Sequence, residues 1–165
     1  MLTSTRLSNV FVLDQDEALD FYVGKLGFSP HTDVEAEGVR FVLVTAPEQP
    51  DVPLMLAVPG PPVMDAATAE QTRTLMAKGF LGPGSLVTKD CRTTTEELRS
   101  RGVEILDEPE ERFYGIDAGF RDPFGNHWRL TEPKPVDEIT GPVRIAGALW
   151  VGATRLIDNV LVARP

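Results

Sequence analysis

Cysteine is nearly missing from this chain. Cys91 is its only one, so no intrachain disulfide can form and nothing points to an oxidising compartment. Histidine is almost as scarce, with His31 and His127 alone, so a three- or four-ligand metal site would need both to converge with carboxylates. No apolar run is long enough to span a bilayer. The most apolar late stretch, residues 145–162, is interrupted by Arg155, Asp158 and Asn159, whereas a spanning helix needs about 20 almost uncharged residues. The first six residues lack the apolar segment of a signal peptide, and a cytoplasmic location is the expectation. Basic residues are outnumbered, 16 Lys and Arg against 25 Asp and Glu, for a formal charge of −9. Nucleic acid and anionic membranes would repel such a surface, so neither is an expected partner. What remains is an ordinary globular composition, 42% hydrophobic and 25% charged over 165 residues, enough to bury a sizeable core.

The pattern along the chain repeats. A strand over Leu7–Leu13 leads to Asp14, a helix cap with Glu17 three residues on. Ala18, Phe21, Tyr22 and Leu26 then share one helical face, and Gly27 supplies the stop. Strands are expected over Ser29–Glu35, Val39–Ala46 and Pro53–Val58, with a turn at Pro47–Asp51. After Pro59-Gly60-Pro61-Pro62, Asp65 caps a helix to about Lys78 that reads as an inserted linker outside the core pattern. The cycle then restarts: a strand over Ser85–Thr88, a cap at Asp90, a helix over Cys91–Arg101 and a stop at Gly102. Strands follow near Val103–Leu106, Gly115–Arg121 and His127–Glu132, the last two joined by the turn Asp122-Pro123-Phe124-Gly125-Asn126. Two βαβββ units of this kind must cover their apolar sheet faces together. The expected organisation is one domain over residues 1–132, with modules at about 7–58 and 85–132 and the linker helix at about 65–78. Residues 133–165 form a C-terminal extension whose many apolar side chains need burial, as an added strand or helix or against a second subunit.

Val12-Leu13-Asp14-Gln15-Asp16-Glu17-Ala18-Leu19-Asp20-Phe21-Tyr22, with Lys25-Leu26-Gly27-Phe28, resembles the opening of the glyoxalase/bleomycin-resistance/extradiol-dioxygenase proteins, the vicinal oxygen chelate superfamily. Asp122-Pro123-Phe124-Gly125-Asn126, followed by Trp128 and Leu130, is similar to that superfamily's closing hairpin. The resemblance covers Leu7 to about Glu132. It implies an α+β fold in which two tandem βαβββ modules form a curved mixed sheet around a cavity, often completed by a homodimer. It names no single reaction, since the superfamily includes isomerases, epimerases, dioxygenases, thiol transferases and drug-sequestering proteins.

Members that do chemistry hold a divalent metal with His, Glu or Gln on inward strand positions, where it acts as a Lewis acid or binds oxygen. Counting from the shared landmarks, those positions fall here on Leu7, near Ala57, on Pro83, Gly84 or Ser85, and on Arg129. None is a ligand of that type, and a fixed cation at Arg129 repels a divalent ion. The expectation is therefore a site with no metal and no cofactor.

Strand alternation sets His127, Arg129 and Thr131 on one face and Trp128 and Leu130 on the other. With the apolar pair against the helices, His127 and Arg129 look into the cavity beside Asn9, Phe11, Phe41 and Met55. Arg129 then either takes a carboxylate or phosphate of a ligand or pairs with an internal Asp or Glu. His127 is either a proton acceptor or donor for a ligand or a hairpin-end residue. Tyr114, beside Phe113, either stacks on a ligand at the mouth or packs within its hairpin. Cys91 at a helix start is either a reactive thiol or a small buried filler. The missing ligands favour a binding module that sequesters a small amphipathic or anionic molecule. The alternatives are a glyoxalase-like lyase or isomerase, or a dioxygenase-like enzyme, with an unconventional site, and a regulatory or interaction protein that uses its C-terminal extension.

Overall fold

The structure, a computed structural model, describes residues 7–134, 143–151 and 154–162. The strand–helix–strand–strand–strand order is present twice. Module one runs β1 (Ser8–Phe11), α1 (Gln15–Leu19, continued by a π-helical turn over Asp20–Lys25), β2 (Ser29–Ala36), β3 (Val39–Ala46) and β4 (Gln49–Ala57). After α2 (Ala66–Ala77), module two runs β5 (Gly84–Val87), α3 (Cys91–Ser100), β6 (Glu104–Arg112), β7 (Gly115–Arg121) and β8 (His127–Pro133). Each module makes its own four-stranded mixed sheet, ordered β1-β4-β3-β2 and β5-β8-β7-β6, with its first and last strands parallel.

The two copies agree in their details. The Asp14 side chain accepts from the amides of Asp16 and Glu17 at 2.9 Å, and the Asp90 side chain accepts from Thr93 at 2.8 Å. Each such cap contributes about 1 kcal/mol. Gly27 and Gly102 close the two helical segments in the left-handed region, at φ 78° and 74°, where a side chain would be strained. The registers coincide too. Asn9, five residues before its cap, pairs with Met55, and Ser85, five residues before its cap, pairs with Arg129.

Both sheets turn one face to the helices, and there Val10, Phe21, Tyr22, Val44 and Leu56 meet Leu98, Phe120, Trp128 and Leu130 in one buried cluster. Burying a large apolar side chain of this kind stabilises by about 1.5–3 kcal/mol. Polar groups within this interior tie module one to module two. The Tyr22 hydroxyl donates to Asp122 Oδ2 at 2.8 Å and accepts from Trp128 Nε1 at 3.0 Å. Asp122 also accepts from the amides of Phe124 and Asn126, and from Asn126 Nδ2 at 2.7 Å. That same Nδ2 donates to the Phe11 carbonyl on β1 at 2.8 Å. Burial, then the negative charge of Asp122, raise the Tyr22 phenol well above its ordinary value, so the hydroxyl stays protonated and donates.

Three expectations change. The helix α2 is more than a linker, because Met76 is fully buried and joins the core. β4 begins at Gln49 rather than Pro53, since Ala46 pairs with Gln49 across a two-residue turn and a register shift absorbs the prolines. β6 runs on to Arg112. Its acidic residues carry no strand signature, yet the ladder to β7 holds through two irregularities, one of them taking in Pro109. Residues Lys134–Pro165 form a second unit, in which β9 (Val143–Val151) and β10 (Thr154–Val162) make an antiparallel hairpin from Val151↔Thr154 to Val143↔Val162. The burial expected of the extension's apolar side chains lies outside the described residues.

Tyr22→Phe removes one oxygen and leaves both Asp122 and Trp128 short of a partner in the interior. We expect a loss of about 2–3 kcal/mol, seen as a Tm lower by about 5–10 °C in thermal unfolding. An unchanged Tm would refute the role given to this hydroxyl.

Candidate functional site

The faces turned away from the helices differ sharply between the modules. On β8, Trp128 and Leu130 are buried while His127, Arg129 and Thr131 are half-buried on the other side, as alternation requires. In module one the corresponding face is apolar. Asn9, Met55 and Leu43 form one row across β1, β4 and β3, with Phe11 beside Ala57 in the next. Phe41, 38% exposed, stands two residues along β3 from Leu43 and pairs with Val34, 52% exposed, on β2.

In module two the open face is charged and paired. Arg129 Nε donates to Asp117 Oδ2 at 2.9 Å, Nη2 donates to the same oxygen, and Nη1 donates to Asp107 Oδ2 at 2.5 Å. Of the two readings of Arg129, the structure therefore shows the internal ion pair. Asp117 is buried, and Thr131 Oγ1 donates to its second oxygen at 2.9 Å. Burial alone would push this carboxyl up. The bonds from Arg129 and Thr131 and the guanidinium charge outweigh it and hold Asp117 below the usual carboxylate range. Gly119 gives the pair room to cross the strand. A Cβ there would stand 2.5 Å from Asp107 Oδ2 and 2.9 Å from Arg129 Nη1, so a side chain would push these two groups aside.

His127 is engaged as well. Its Nε2 accepts from Arg121 Nε at 3.2 Å and lies 3.1 Å from Arg121 Nη2, and its ring packs on Gly79 after α2, where a side chain would collide with it. That lone pair is turned to a guanidinium. Arg121 in turn pairs with Glu104 at 3.1 Å. Tyr114 is 43% exposed at the β6–β7 turn and stacks edge-on to Phe113, with centroids 5.0 Å apart. Cys91 is fully buried, its Sγ 3.5 Å from the Leu130 carbonyl, and burial pushes its thiol up; the filler reading describes it. His31 lies exposed on β2 with Nδ1 2.7 Å from the Thr32 hydroxyl, far from His127 in the fold's other sheet.

Among the described residues no three of His, Cys, Asp and Glu come together to hold a metal. The repeated register also refines the expected ligand positions. Met55 stands to Asn9 as Arg129 stands to Ser85, so the fourth-strand position falls on Met55 rather than Ala57. Leu7, Met55, Pro83 and Arg129 do not fit a hard divalent ion. Hollows among the described residues include the following two. One of about 430 Å³ lies between the π-helical turn and β2, lined by Leu19, Val23 and Pro30. The other, of about 140 Å³, lies between the two sheets at Ser8, Leu54, Ser85 and Trp128. Neither is lined by the seven candidate residues Asn9, Phe11, Phe41, Met55, Tyr114, His127 and Arg129.

Asp117 and Asp107 were missed by sequence reasoning, although a signal existed. A lone carboxylate in the apolar strand Gly115-Ile116-Asp117-Ala118-Gly119-Phe120 demands a cation from the next strand.

Residues 5–130 match the sequence model of the Glyoxalase/Bleomycin resistance protein/Dioxygenase superfamily. The crystal structure of UcmS2 is similar, with 38% identity, a TM-score of 0.76, and coverage of 80% of this chain and 99% of that one. So is TnmS3, described as an antibiotic binding protein from Streptomyces sp. CB03234, at 29% identity and a TM-score of 0.65, covering 81% of this chain and 98% of that one. An uncharacterized protein of Shewanella frigidimarina (strain NCIMB 400) is 34% identical over 123 residues, 73% of this chain and 87% of its own length.

Asp117→Asn should destabilise by about 1–3 kcal/mol near neutral pH. Because the folded carboxyl lies below the unfolded value of about 3.9, the ion pair's contribution is complete above that value and is lost as pH falls from there through the lower folded value. The stability gap between wild type and variant, measured by urea unfolding, should be flat from pH 6 to 8 and shrink below about pH 4. A gap unchanged in acid would contradict the pairing.

Proposed function

Since the chain belongs to the glyoxalase/bleomycin resistance protein/dioxygenase superfamily, we propose that it is a binding protein that sequesters a small amphipathic molecule against its open sheet faces, without a metal ion. The observation that carries this reading is the contrast between those faces. Module one offers Phe11, Phe41, Leu43 and Met55 to an apolar body, and module two offers a row of charged and hydroxyl groups to a polar end. Apolar walls with a few placed polar groups are the usual make-up of small-molecule sites. The similarity to TnmS3, an antibiotic binding protein, supports the same reading and makes an antibiotic the first ligand to try.

An enzyme is the weaker reading. The positions that the superfamily resemblance marks for metal ligands hold Leu7, Met55, one of Pro83, Gly84 and Ser85, and Arg129, whose side chains are no such ligands. On the open face of module two the two groups best placed to move a proton, His127 and Asp117, are both held by arginine. A second copy of the chain, covering the apolar face of module one, completes the proposal as a homodimer. Among the described residues no helix is long and apolar enough to cross a membrane.

A panel of antibiotics with extended apolar bodies, titrated into the full chain and followed by calorimetry and thermal shift, tests the proposal. At least one should bind and raise the stability by about 2.7 kcal/mol at a hundredfold excess over Kd. Met55→Glu places a charge on the half-buried apolar wall and should weaken binding at least about tenfold while the protein stays folded. Equimolar metal in the purified protein, with binding lost on chelation, would overturn the reading.

A further inference from the structure

We infer that the polar wall of module two selects a ligand whose polar end is a hydrogen-bond donor, a hydroxyl or an amine, and disfavours a carboxylate or phosphate. This rests on the binding reading above and adds the chemical class. Two observations carry it, the charge sum and the direction of the hydrogen bonds.

The charge sum is negative. Arg129 is the one cation that Asp107 and Asp117 share, which leaves −1, while Arg121 with Glu104 and Arg112 with Glu110 cancel beside it. Two guanidinium N–H groups of Arg129 remain, since three of its five face the carboxylates. An anion that took them would sit against two carboxylates held nearby. An ammonium or hydroxyl meets the opposite field.

The proton count agrees. Thr131 has a single hydroxyl hydrogen, and it goes to Asp117 Oδ1. The 2.7 Å contact between Thr131 and Ser85 therefore uses the hydrogen of Ser85. The chain of donation runs Ser85 to Thr131 to Asp117, and the exposed Ser85 oxygen keeps only lone pairs for an incoming group. Ser85 is register-paired with Arg129 on the same face, so this acceptor and the negative row form one surface. Such a surface accepts hydrogen bonds and offers few.

Three probes sharing one apolar body separate the cases: 2-naphthylmethanol, 2-naphthylmethylamine and 2-naphthoate, titrated into the full chain by calorimetry at pH 7. The alcohol and the amine should each bind at least about tenfold tighter than the naphthoate. Asp107→Asn, at an exposed carboxylate, should shrink the amine-to-naphthoate ratio and leave the alcohol nearly unchanged. Ser85→Ala should weaken the alcohol and the amine alike. Naphthoate binding as tightly as the amine, or a ratio that Asp107→Asn does not move, overturns this inference and leaves the binding reading standing. Failure of all three probes on folded wild-type protein counts against both.

Discussion

A phenol and a carboxylate, sealed from water, hold the two modules in place. Asp122 would be a costly group to bury alone, and burial does raise its carboxyl. It accepts from Tyr22, Phe124 and Asn126, and that complete set of partners is what makes an oxygen pair tolerable in the interior. The partners come from both modules, so the turn after β7 and the π-helical turn after α1 share one hydrogen-bonded cluster. The open faces of both sheets inherit their positions from this arrangement. Shared partners of this kind act as a unit, and the loss of one is felt by the rest.

Much of the fold was legible because the caps and stops repeat. Asp14 with Gly27, and Asp90 with Gly102, mark matching places in two copies of one pattern, and the sheets follow from it. The phrase Asp122-Pro123-Phe124-Gly125-Asn126 was also legible, but only as a turn. Its second role depends on a hydroxyl 100 positions earlier, and no local pattern in a single chain reveals such a contact. β6 was shortened for a similar reason. Strand propensity reads side chains, whereas an acidic edge strand is held by backbone bonds to its neighbour.

The candidate site was legible by face and illegible by partner. Alternation set His127, Arg129 and Thr131 on the side away from the helices, and the structure agrees. What alternation cannot give is the charge across the ladder. Arg129 read alone is a free cation; beside Asp117 and Asp107 it is the one positive charge between two negative ones. His127 read alone is a proton acceptor; beside Arg121 its lone pair is spent. The two readings differ by the strand register, which puts residue 117 opposite 131 and residue 119 opposite 129.

The outer margin of module two has a consequence for a protein of this kind. Among the described residues β6 ends its sheet with one side unpaired, and the strand carries Glu104, Asp107, Glu108, Glu110 and Glu111. Free strand margins invite other chains to add on, and crowded like charge deters them. If the proposed sequestration holds, such a protein would be consumed one for one, and a cell would have to make it in quantities that match the compound it confronts. At such abundance, an acid-lined border would deter strand addition between copies.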